Sequence, residues 1–158
     1  MFLFYKERER SKMSQTNIIQ KWSAWSPRLL SILRIVAAFL FIQSGTMKIF
    51  AFPIGMPPDG GTAHLMTQIG IGGLLELVGG GLLLLGLFTR PVAFILSGEM
   101  AVAYFQFHAP RGFWTIVNGG SDAMFYCFLF LYFSASGAGP WSLDALFTKK
   151  TYNLTTNN

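Results

Sequence analysis

Charge is scarce in this chain, and cysteine is scarcer. Only 12% of the 158 residues are Asp, Glu, Lys or Arg, against 52% hydrophobic, and the mean hydropathy is +0.44. A soluble domain carries about 25% charged residues, so this balance excludes an ordinary soluble fold and points to a membrane protein. The single cysteine, Cys127, lies inside an apolar run, which excludes an intrachain disulfide and a Cys-x-x-Cys redox pair. The two histidines, His64 and His108, fall in a loop and at a helix end with no ligand spacing between them, so no metal or haem is expected. Phosphate loops, dinucleotide fingerprints, nucleophile elbows and zinc signatures are missing too. The chain therefore presents no self-contained catalytic motif.

The charge that is present is positive on balance, +5, and gathers in the first 28 residues and the tail. Such clusters beside apolar stretches read as juxtamembrane anchors and not as nucleic-acid contacts. The opening residues lack a small-residue cleavage site, so the first span is expected to be retained, with Met13 an alternative start.

A hydrocarbon core about 30 Å thick needs about 20 helical residues. Four stretches approach that length: 29–50, 67–88, 91–108 and 118–137. The expected fold class is all-α, a polytopic four-helix membrane bundle over 29–146, with a leader at 1–28 and a polar tail at 147–158. Lys6, Arg8, Arg10, Lys12, Lys21, Arg28, Arg90, Lys149 and Lys150 fall on one side of this arrangement and only Lys48 and Arg111 on the other. The positive-inside rule then makes both termini cytoplasmic. Glycines crowd the second stretch, from Gly70 to Gly86, which suits a helix that neighbours approach closely.

Ionisable residues inside such spans cost several kcal/mol unless paired, hydrated or in use. At about 1.5 Å of rise per residue, Arg34 and Glu99 fall at similar depths and can pair, although Arg34 can equally snorkel to the interface. Glu76 falls near the midplane with Gln43 somewhat further out, giving a polar thread Arg34, Glu99, Glu76, Gln43. Lys48, His108, Arg111, Asn118 and Asp122 gather at the other ends of the spans, where Lys48 and Asp122 would pair at a hydrated mouth. Glu76, left without a cationic neighbour, is the candidate proton-linked group.

The segments LRI, FIQSGTMKIF, LLELVGGGLLLLGLFTRPVA, AYFQFHAPRGFW, VNGG and GAGPWSLDAL resemble the DoxX family of bacterial inner-membrane proteins over about residues 29–146. The resemblance implies a four-helix bundle in the bacterial cytoplasmic membrane. It sets Arg34, Lys48, Glu76, Arg90, His108, Asn118 and Asp144 at recurrent polar places. Relatives commonly carry Glu directly after NGG, where this chain has Ser121 and then Asp122, a shift of about 100° around a helix.

Some members of that family are small subunits of thiosulfate:quinone oxidoreductase, and others are linked to oxidant resistance through membrane complexes. For this chain that implies a subunit that handles quinone or docks a membrane or peripheral oxidoreductase. A scaffold or assembly factor with purely structural charges, a small-solute transporter, and a homo-oligomer stay open beside it.

Overall fold

The computed structural model describes residues 20–156, with side chains placed as far as Lys149. The leader at 1–19, with Met13 and the first four basic residues, lies outside the described residues. Helix dominates, and the only β contact among the described residues is an isolated bridge between Met56 and Gly61.

A helical turn from Gln20 leads into α1 (Ser26–Phe50), which has Pro27 in its first turn, where the missing N–H costs nothing. Ala51 ends α1 in the left-handed region, and its N–H donates to the Met47 carbonyl. The 51–67 loop folds back on the same end, where the Ala63 N–H reaches Lys48 O at 2.7 Å. Thr67 caps α2 (Gln68–Leu85) by accepting from the Gly70 N–H. Gly86 closes α2 at φ +66°, a conformation open to glycine at little cost.

A short link leads to α3 (Thr89–Ala103), whose helical path runs on through a π turn at Tyr104–His108 and a 3-10 turn at Ala109–Arg111. A four-residue α4 (Thr115–Asn118) precedes α5 (Ser121–Ser136), and α6 (Leu143–Thr156) completes the chain. This last helix runs through residue 147, where the sequence suggested a polar tail.

Helix α2 packs along α1 and also touches α3, while α3 packs along α5. Helices α1 and α2 approach closely around Gly45 and Gly73. A Cβ added at Gly45 would meet Leu77 N at 2.7 Å and Gly73 O at 2.9 Å. Backbones this close exclude any side chain there, and this is what the glycine-rich second stretch supplies.

The core lies midway along the helices. Phe41 packs edge-on to Phe130 with ring centroids 4.8 Å apart, and Phe133 and Tyr126 extend the cluster. Leu83, Leu96, Ala38 and Ala93 close around it, all buried. Phe39, Phe94, Phe105, Phe125 and Phe128 face outward, the inverse of a soluble protein's pattern.

Two helices, Gln20–Phe50 and Gln68–Leu85, are long and apolar enough to cross a bilayer. The α-helical parts of α3 and α5 have 15 and 16 residues, each shorter than the stretches expected from sequence. The π turn accounts for the difference in α3, and the glycines at 119 and 120 for that in α5.

Candidate functional site

The polar side chains separate into two groups, one at each end of the core. The first is built around Arg34, which is wholly buried. Helix C-termini leave carbonyls unpaired and carry the negative end of the helix dipole. Arg34 meets two such ends together. Its Nη1 donates to Leu83 O and to Leu84 O (2.8 Å) in the last turn of α2. Its Nε donates to Ala138 O (2.9 Å) and its Nη2 to Trp141 O (2.5 Å), just past α5.

Asp144 completes this clasp from the other direction. Its carboxylate accepts from the Phe88 and Thr89 amides, each at 2.9 Å, so a residue from the start of α6 caps the start of α3. Its own N–H donates to Gly86 O at 2.9 Å. Arg90 donates to Ser134 O (3.1 Å) and Ala135 O in the last turn of α5. Two arginines thus cap two helix C-termini, and one aspartate caps an N-terminus.

The expected pairing of Arg34 with Glu99 is therefore wrong. Glu99 Oε1 comes within 3.2 Å of where a Cβ on Gly72 would stand. Gly72 lies about 16 Å of helical rise from Leu83, whose carbonyl Arg34 binds. The guanidinium is satisfied by carbonyls and has no need of a carboxylate.

The second group surrounds Lys48 and Glu76. Lys48 Nζ donates to Glu76 Oε1 at 2.5 Å and to Ser44 Oγ at 3.2 Å. The expected pair Lys48–Asp122 is not formed, and Glu76, expected to lack a cation, has one. Glycine explains the swap: the close approach of Gly45 and Gly73 brings Lys48 over α2, and Lys48 Cβ lies 2.8 Å from where a Cβ on Gly73 would stand. Asp122 is exposed in the first turn of α5.

Glu76 is only 2% exposed, and its Oε2 has no hydrogen-bond partner among the described residues; neither has Glu99 Oε2. Glu99 is within electrostatic reach of both Glu76 and Lys48. One ammonium is thus paired with Glu76 and acts on Glu99 through space, in a largely apolar setting.

Two cavities adjoin this trio. A cleft of about 440 Å³ between α2 and α3 has Glu99, Glu76, Lys48 and His108 in an otherwise apolar wall of Ile71, Leu75 and similar residues. A hydrogen bond between the Gln68 and Gln106 side chains spans its rim. The second cavity, about 600 Å³, lies on the other side, where Ser44, Asp122 and Tyr126 join Lys48, Glu76 and His108.

His108 and Asn118 have structural partners. Asn118 is buried, donates from Nδ2 to Gly112 O (2.8 Å) and accepts at Oδ1 from the Gly120 N–H (2.7 Å). The His108 ring Nδ1 lies 3.1 Å from Asn118 O. Gln43 is exposed on the outer face of α1 and takes no part in the cluster. Ser44, which does, went unremarked in the sequence although it stands one helical turn before Lys48.

An all-helical chain with membrane-length apolar helices, outward-facing Phe and ionisable groups in its interior is a membrane protein. Its residues 29–109 match the DoxX family profile, and the chain belongs to that family. Two Haemophilus influenzae proteins, each described only as an uncharacterised protein, are 50% identical over 80% of this chain and 96% of the relative, and 32% identical over 78% and 85%. The inner membrane protein YqjF of Escherichia coli is 30% identical over 75% of this chain and 92% of its own length. No solved structure matches.

Proposed function

We propose that the chain crosses the bacterial inner membrane four times, with both termini cytoplasmic, and serves as the quinone-linked subunit of a membrane redox or oxidative-stress system. The four-span reading rests on the family, on the inner-membrane description of a relative, and on the lipid-like outer surfaces of α3 and α5. Lys21, Arg28, Arg90 and Lys149 all belong to the Arg34 end, which orients that end to the cytoplasm.

One observation carries the quinone reading. The cleft between α2 and α3 has a mostly apolar wall that includes Glu76 and Glu99, each of which holds one buried carboxyl oxygen without a partner among the described residues. A volume of about 440 Å³ is in the range of small-molecule sites. Such a cleft suits an amphiphile with an apolar body and a polar head that accepts and donates hydrogen bonds.

A bound quinone would supply two-electron, two-proton redox chemistry, with the electrons delivered by a partner oxidoreductase. The chain's own residues would do the rest. Lys48 Nζ can donate to a ring oxygen at the floor of the cleft. Glu99 and Glu76 can hold or release a proton at Oε2, the oxygen each leaves unbound. Ile71, Leu75 and Ile95 line the apolar wall that would receive the body of the ligand.

The test is purification in mild detergent, with mass spectrometry of both proteins and lipid extract. A co-purifying quinone at near-stoichiometric level, lost in Glu99→Gln together with membrane redox activity, is the expected result. Protein free of quinone, with redox activity unchanged in Glu76→Gln and Glu99→Gln, contradicts it.

The scaffold reading has its own support in the Arg34 clasp, where each charge serves a helix end. It predicts stability defects from Arg34 and Asp144 variants and none in ligand binding from Glu99.

A further inference from the structure

The cavity of about 600 Å³ beside α5 is more polar than the cleft. Its walls carry six polar side chains, Ser44, Lys48, Glu76, His108, Asp122 and Tyr126, alongside six apolar ones that include Leu40 and Phe125 at the outer surface. Water enters a protein cavity when it is roomy and offers two to four polar partners, and this one exceeds both conditions. Asp122 at its edge is exposed, Lys48 inside is 22% exposed, and Glu76 at its end is almost fully buried with one oxygen unbound. Exposure thus declines along a polar path toward an oxygen with no partner.

The path stops there. Toward the Arg34 end come Phe41, Leu83, Leu96, Phe130 and Phe133, each at most 2% exposed. The buried polar side chain beside this plug, Ser97, is engaged with Cys127 O at 2.8 Å, and beyond the plug the Arg34 guanidinium is bonded to four carbonyls.

We propose that this cavity is a one-sided water inlet. It admits water, protons and small hydrophilic solutes to Glu76 from the face of the membrane that carries the 51–67 loop, while the aromatic plug seals the opposite face. Any proton taken up or released at Glu76 or Glu99 then exchanges with one compartment only. Lipid-soluble ligand enters by the cleft and water by the inlet, and the two meet at Lys48 and Glu76. The inference rests on the four-span arrangement and is independent of what occupies the cleft.

Cysteine accessibility tests it. In a Cys127→Ser background, Ser44→Cys and Ala123→Cys place thiols on the inlet wall, Asp122→Cys marks the mouth, and Ala38→Cys sits in the plug. Intact cells and inverted vesicles are treated with a charged, membrane-impermeant methanethiosulfonate. Both inlet thiols should react from the face that labels Asp122→Cys, about tenfold or more faster than from the other, and Ala38→Cys from neither. Inlet thiols that stay unmodified from that face yet react after denaturation, or that react equally from both faces, overturn the proposal.

Should Ser44→Cys fail to accumulate, Ala123→Cys carries the same comparison. Hydroxyl-radical labelling of the unmodified protein needs no variant. Tyr126 should be oxidised well above Phe130, and equal protection of the two counts against the inlet. Loss of the quinone reading leaves these labelling patterns unchanged, so the two failures are distinguishable.

Discussion

At the Arg34 end Arg34, Arg90 and Asp144 close helix termini, whereas in the Lys48 half one ammonium pairs with Glu76, Glu99 stands within its electrostatic reach, and each carboxyl group leaves one oxygen unbound. The contrast separates what charge does for the fold from what it does at a site. Helix ends supply fixed, unsatisfied groups, and a buried Arg or Asp that meets them stabilises the chain. A carboxyl oxygen held in an apolar cleft without a partner costs free energy and persists where function requires it. Stability should therefore be sensitive at one end and tolerant at the other.

The largest effect is expected at Arg34. Its removal takes a donor from four carbonyls, of which Leu83 O keeps the Gly86 N–H, and Arg34→Ala should lower stability by about 3 kcal/mol, read as loss of membrane abundance and of thermal stability in detergent. Arg34→Lys should recover only part, because an ammonium cannot span four acceptors set around a planar fork.

Next comes the Lys48–Glu76 pair. Lys48→Met leaves Glu76 buried without its cation and should cost about 2–4 kcal/mol, while Lys48→Met with Glu76→Leu should recover most of it in a double-mutant cycle. Additive losses would show that the pair is not coupled. Asp144→Ala removes two amide caps at the start of α3 and should cost about 1–2 kcal/mol, with faster amide hydrogen exchange confined to Phe88 and Thr89. The smallest effect is expected at Glu99, where Glu99→Gln should change stability by less than about 1 kcal/mol, since no hydrogen bond is broken. A large destabilisation there would erase the contrast between the two ends.

Much of this architecture could be read along the chain because it depends on one dimension. Apolar length and the glycine-rich second stretch locate α1 and α2, the two helices of membrane length, and the glycine contact between them. Depth along a helix follows from counting residues. The partners of the charges depend on rotation about the helix axis, which depth alone leaves open. Gln43 and Ser44 are neighbours in sequence and nearly equal in depth, yet one faces outward and the other bonds Lys48.

Arg34 was misassigned for a different reason. Its acceptors are main-chain carbonyls, two in the last turn of α2 and two in the loop past α5, which no residue identity advertises. Asp144 stood out only through the family resemblance, because its capping contacts with Phe88 and Thr89 span more than 50 residues. The short spacing of Ser44 and Lys48 was legible, being one helical turn on one face.

The central claim is that the Lys48 half is a site and the Arg34 end is scaffold. Thermal melting and quinone content, measured together on purified Glu99→Gln and Asp144→Ala proteins, test it most directly. The expected result is that Glu99→Gln melts within a few degrees of the parent and has lost its quinone, while Asp144→Ala melts lower and, where folded, keeps it. A Glu99→Gln protein that melts lower than Asp144→Ala while retaining the parent's quinone content would contradict the account.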